Sequence, residues 1–186
     1  MRFLVRLLPH APAGETFLGT IRSLARSVGA DPRNPKWTSY GALELDVFTR
    51  TEEDFQVFLS VVEPLASLEF SRDLSHPWPF LPKGRVVEEA KAYFNAERYW
   101  ECHEILESVW RNVSGDEKLF VQGVILVCAA LVHHQKGEEG VALNVLKRAM
   151  RQLRWEHDAY QGINVRALRE NVTKMLASGR LSVFTI

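Results

Sequence analysis

Apolar residues alternate between two periods over the first half of this chain and keep a single period over the second. Phe3, Val5 and Leu7 interleave with Leu4, Arg6 and Leu8, which predicts a strand covered on both faces. Phe17, Leu18, Ile21, Leu24, Ala25 and Val28 then share one face of a helix over 15–28, with Gly29 placed to end it. Leu43, Leu45 and Val47 alternate with Glu44 and Asp46, a strand with one wet face. Thr51 can cap a second helix, with Asp54 in the capping-box position and Phe55, Phe58, Leu59 and Val62 as its apolar stripe. Residues 68–74 read as a further strand. If 37–40 is a strand of its own, hinged at Gly41 and paired with 43–48, the order is β-α-β-β-α-β, the ferredoxin-like arrangement. If 37–48 is one bent strand, the sheet has three strands. The segment 181–186 could add an edge strand to either.

The second half predicts five helices. Val86, Val87, Ala90, Tyr93 and Phe94 mark the first, and 99–113 the second. The third, 117–134, is apolar all round, so its neighbours must surround it. Ala142, Val145, Leu146, Ala149 and Leu153 define the fourth. Asn164 caps a fifth that carries Val165, Leu168, Val172, Met175 and Leu176, and no strand is expected over 85–178. A self-similarity of about 39 residues relates 90–103 to 129–142, which points to stacked helical hairpins of the tetratricopeptide kind.

Proline sets the boundary between the halves. All eight prolines lie within residues 1–82, and the remaining 104 residues hold none. A proline costs about 3 kcal/mol inside a helix, so the second half is free of the strongest helix breaker. Three prolines in 75–84 predict a stiff linker, with Trp78 and Phe80 pinning it to one domain. The expected organisation is α+β: a ferredoxin-like domain over 1–74, the linker 75–84 and an all-α domain over 85–180. The formal net charge is +0, which argues against nucleic acid as a partner. The start of the chain breaks its apolar run at Arg6, and no stretch approaches the roughly 20 apolar residues of a bilayer span. Two cysteines, Cys102 and Cys128, are too few for a disulfide framework, and core packing is the default for each. These features predict a cytoplasmic protein with no membrane partner.

Polar chemistry is densest on the second helix of the helical half. Glu107 lies about 40° round the helix from His103, Arg111 about 80° and Glu104 about 100°. Trp110 and Tyr99 border them on the apolar side, so His103 and Glu107 stand on the shoulder of the core. On the next helix Gln122 and His133 share one stripe, and Gln122 interrupts an otherwise apolar run. Antiparallel packing of the two helices would gather His103, Glu107, Gln122 and His133. One reading is a divalent-metal or small-anion pocket with His103, Glu107 and His133 as ligands. The other is a hydrogen-bond and salt-bridge network in which Glu107 and Arg111 neutralise each other. The string His103-Glu104-x-x-Glu107 is close to a zinc-peptidase signature, but glutamate replaces its second histidine. Lys147, Arg148, Arg151 and Arg154 read as a solvated basic face, and His134 as a helix end.

Together, Phe94-x4-Tyr99-Trp100-x2-His103-Glu104-x2-Glu107-x2-Trp110-Arg111, Phe120-x-Gln122-Gly123-x-Ile125 and Ala129-Ala130-x2-His133-His134 resemble the family called domain of unknown function 309. The resemblance covers roughly 85–150. It implies a compact all-α domain and assigns no activity. The expected function is therefore a non-enzymatic interaction module that binds a protein partner or assembles as a homo-oligomer. The alternative is a metal-dependent hydrolase-like enzyme, with His103 and Glu107 on a divalent cation and Glu104 as general base.

Overall fold

The computed structural model describes residues 1–13, 15–76, 78 and 81–186. The chain divides into two compact units, Met1–Pro77 and Trp78–Ile186. The architecture is α+β, an antiparallel sheet with helices followed by a helical region.

The first unit runs β1 (Arg2–Pro9), α1 (Glu15–Ser27), β2 (Asp31–Trp37), β3 (Leu43–Phe48), α2 (Glu52–Val62) and β4 (Ala66–Asp73). Its four strands lie in the order β2-β3-β1-β4, and every neighbouring pair is antiparallel. Strand period decides the two faces. Phe3, Val5 and Leu7 on β1 stand opposite Val47, Leu45 and Leu43 on β3, and this face packs on Ile21 and Ala25 of α1 and Phe55, Phe58 and Val62 of α2. The rings of Phe3 and Phe55 stack with centroids 3.8 Å apart. The capping box forms as expected: Asp54 N donates to Thr51 Oγ1 at 3.1 Å and Thr51 N donates to Asp54 Oδ2 at 3.2 Å.

Two features of this unit differ from the sequence reading. The strand expected at 37–40 is instead β2, which ends at Trp37 and includes Pro32 and Pro35. A sheet edge tolerates them, because an edge residue needs no ladder bond on its outer side. The irregular register between Arg33 and Lys36, with Asn34 at φ 52°, takes up the strain. The wet face of β3 is not wet either, since Glu44 and Asp46 are both buried. Cross-strand cations match each carboxylate: Arg6 Nη2 and Lys36 Nζ reach Glu44 at 2.8 and 2.5 Å, and Arg2 Nη2 reaches Asp46 at 2.8 Å.

The second unit contains α3 (Lys83–Asn95), α4 (Tyr99–Asn112), α5 (Gly115–Gln135), α6 (Glu139–Gln152) and α7 (Val165–Ser178). Between α6 and α7 lies a small hairpin, β5 (Ala159–Tyr160) and β6 (Ile163–Asn164), where no strand was expected. Gln161 and Gly162, both at positive φ, form its two-residue turn. Residues 181–186 are not a strand. Leu181, Phe184 and Ile186 pack on the helical core instead, while Val183 stays exposed. Phe184 lies edge-on to Phe94 at 5.1 Å and Ile186 N donates to Asn95 Oδ1 at 3.0 Å. Trp78 packs tilted against Tyr93 at 5.7 Å, while Phe80 lies outside the described residues.

The helical repeat is real, and its period is 40 residues rather than 39. Helices α4 and α6 are each 14 residues long and begin 40 residues apart. The residue before each has the same backbone, φ −93°, ψ 56° at Arg98 and φ −92°, ψ 56° at Glu138. The preceding turns close alike: Glu97 N donates to Phe94 O and Arg98 N to Tyr93 O, as Gly137 N does to His134 O and Glu138 N to His133 O. Buried positions repeat too, Cys102 with Ala142, Leu106 with Leu146 and Val109 with Ala149. The first turn places Glu97 at φ 55°, where the second uses Gly137, and that mismatch blurred the period in sequence.

Candidate functional site

Helix α4 turns Tyr99, Cys102, Ile105, Leu106 and Val109 into the core, one side of a helix at the expected spacing. His103, Glu107 and Arg111 follow each other at four-residue steps along its shoulder. Their side chains are 27%, 36% and 66% exposed, so the row climbs from the core towards solvent. His103 Nε2 lies 3.3 Å from Glu107 Oε1, and Arg111 Nη2 donates to Glu107 Oε2 at 2.6 Å. Both carboxylate oxygens of Glu107 are thus engaged by neighbours on its own helix. Trp110 faces the start of α5, where the Lys118 ammonium sits 4.3 Å from the centre of its ring. Glu104 is half-buried, a quarter-turn away from His103.

The antiparallel register with α5 is fixed where the sulfurs of Cys102 and Cys128 meet at 3.2 Å. That register sets Gln122 level with Ser108, near Glu107. His133 falls level with Glu97, about 9 Å along the axis from His103 at 1.5 Å per residue. The stripe shared by Gln122 and His133 is longer than a single site, so α4 cannot meet both ends at one point. His133 turns instead to the α5–α6 connection, with Nδ1 2.5 Å from Glu138 Oε2, and His134 pairs likewise with Glu139 at 2.5 Å. The hydrogen bond from His133 holds the Glu138 carboxyl below its usual range. Among the described residues no three or more His, Cys, Asp or Glu side chains group so as to hold a metal ion. His103, Glu107 and His133 therefore do not converge, and the row on α4 is a ladder along one helix.

Sequence reasoning missed the deepest charge in this unit. Glu101 is fully buried, and the Arg98 guanidinium grips both its oxygens while lying 4.6 Å from the centre of the Tyr93 ring. The signal was present: Glu101 lies one turn before Ile105, on the side of α4 that must be covered. A second polar cluster was also missed. Glu117 Oε1 accepts from Lys83 Nζ at 2.8 Å and from Tyr160 Oη at 2.9 Å. The lysine bond lowers the Glu117 carboxyl from its ordinary value, while burial and Glu117 raise the Tyr160 phenol. Lys83 and Glu117 line a cavity of about 780 Å³ together with Val86, Val109 and Arg111.

Gly123 follows Gln122 for a steric reason. A Cβ there would meet Leu153 Cδ2 at 2.8 Å and Leu153 N at 2.9 Å, so only glycine lets α5 lie against the end of α6.

Residues 87–145 match the model of the family described as Domain of unknown function (DUF309), as the pattern centred on His103 implies. An uncharacterised protein of Aquifex aeolicus (strain VF5) is 28% identical over 97 residues, which is 52% of this chain and 29% of that protein. The uncharacterised protein YpuF of Bacillus subtilis (strain 168) is 34% identical over 74 residues, 39% of this chain and 42% of that one. The chain thus spans less than half the length of either relative. A crystal structure of a conserved hypothetical protein from Thermus thermophilus is 32% identical, covering 53% of this chain and 99% of that one at a TM-score of 0.44.

Proposed function

We propose that this chain is a non-enzymatic interaction module, built from a pair of helical hairpins and a ferredoxin-like sheet unit, that assembles with a second copy of itself or a protein partner. The observation that supports this reading is the 40-residue repeat with matching turns at Arg98 and Glu138. Repeated hairpins present extended surfaces, and their positions are set by neighbour packing rather than by a pocket (an analogy of fold, not of chemistry). The ladder His103–Glu107–Arg111 agrees with a structural use, since its groups satisfy each other along α4. Self-association would draw on the sheet edge β4. Unlike β2 it carries no proline, and Ser67, Leu68 and Glu69 are exposed.

Sedimentation velocity of the full chain over a hundredfold concentration range tests this. The expected result is a concentration-dependent dimer that Leu68→Lys weakens at least tenfold. A parent that stays monomeric throughout and purifies without a stoichiometric protein partner would refute the module reading.

A further inference from the structure

The helical core contains a reactive pair that the ladder on α4 does not use. Cys102 on α4 and Cys128 on α5 are both free and fully buried, and Cys128 Sγ–H donates to Cys102 Sγ at 3.2 Å. They are the only cysteines in the chain. A disulfide requires about 2.05 Å between sulfurs, so closure asks for about 1 Å of approach, within reach of small side-chain rotations on two packed helices. Core packing alone does not require sulfur at both of two touching positions. In the second hairpin Ala142 takes the place equivalent to Cys102 and is just as buried.

We propose that Cys102 and Cys128 are an oxidative modification site, a dithiol that a peroxide converts to a disulfide stapling α4 to α5. One sulfur, as thiolate, attacks a peroxide oxygen; the O–O bond breaks, hydroxide leaves and is protonated to water, and a sulfenic acid remains. The second sulfur attacks that sulfur and breaks its S–O bond. The departing hydroxide takes the second thiol's proton as a second water. Two electrons and two protons pass from the thiols to the peroxide. Burial and the bond to Cys128 push the Cys102 thiol well up, so reaction waits for α4 to open from α5, and re-closing sets the sulfurs face to face. The staple joins residues 26 apart and leaves each cysteine no route to a distant partner while the core is closed.

The test treats the purified full chain with hydrogen peroxide, quenches it, unfolds it in N-ethylmaleimide and measures intact mass and crosslinked peptides. The expected product is lighter by two hydrogen atoms, unalkylated and monomeric, with peptides containing 102 and 128 joined. Its melting midpoint should be several degrees higher, returning to the parent value on reduction. Recovery of two alkylated cysteines after exhaustive treatment, stable sulfinic acid at either residue, or disulfide-linked dimers in place of the internal bridge would each overturn the proposal. Cys128→Ala, which removes only the second sulfur, should form no internal bridge. If it still loses two hydrogen atoms as a monomer, the oxidation lies elsewhere and the proposal falls.

Discussion

At Gly123 two opposing effects can be weighed. Glycine within a helix costs about 1 kcal/mol relative to alanine, so Gly123→Ala would stabilise α5 in isolation. The added methyl, however, meets the Leu153 backbone at 2.9 Å, and backbone yields far less readily than a side-chain tip. Overpacking typically costs about 1–3 kcal/mol, so the variant should lose stability on balance, read as a lower denaturation midpoint with an unchanged slope. Glu101 is a sharper case. Breaking a buried ion pair costs about 3–5 kcal/mol, and this pair belongs at the lower end of that range because Arg98 is 22% exposed while Glu101 is fully buried. Glu101→Ala should therefore be severely destabilised, while Glu107→Ala, on the exposed ladder, should change stability by less than about 1 kcal/mol. Thermal melts of both variants rank them. The sequence showed that His103 and Glu107 stand on the core's shoulder, because a helical wheel gives direction. It could not show that His133 is a turn and a half away, because the offset between two helices depends on which side chains interlock.

Caps and turns carry the logic of the elements. Thr51 was identified from spacing alone, and Thr51→Ala should cost about 1 kcal/mol by freeing the Asp54 N–H. Strand β2 lies over Asp31–Trp37 rather than 37–40, and its edge position makes Pro32 and Pro35 compatible with pairing. The β5–β6 hairpin escaped notice since two-residue strands have no period to detect. Carboxylates at element junctions give a pH signature. The Glu117 and Glu138 carboxyls titrate below the ordinary 4.5 in the folded protein, so each contributes stability above that value that is lost as the pH falls through its lowered folded range. Acid titration followed by circular dichroism should show the parent losing stability below about pH 4.5 more steeply than Glu117→Gln, in which the glutamate–lysine bond no longer titrates.

On the scale of the whole molecule, the α+β order and the five helices were legible because a period change and a proline boundary are properties of long stretches. The burial of Arg6, Lys36, Glu44 and Asp46 was not, because alternation tells which face a residue takes and not what charge stands opposite it. Among the described residues, side chains of Trp78–Ile186 build a hydrophobic core of their own. Residues 78–186 expressed alone should fold and melt cooperatively with a helical spectrum, and a broad, non-cooperative melt would contradict that expectation.

A stack of hairpins ordinarily has loose ends from which it can unravel, one repeat after another. Here residues 184 and 186 return to α3, the first helix of this unit: Ile186 N is held by Asn95 and Phe184 lies on Phe94. Helix α3 is also tied to the β5–β6 turn, where Lys91 Nζ donates to Gly162 O at 2.5 Å. The string is tied into a ring, and a ring has no end to fray. Amide exchange in α3 and α7 should then be as slow as in the central α5, with one common free energy of opening. Severing the knot with Asn95→Ala and Phe184→Ala together should restore ordinary fraying, with α3 and α7 exchanging well before α5.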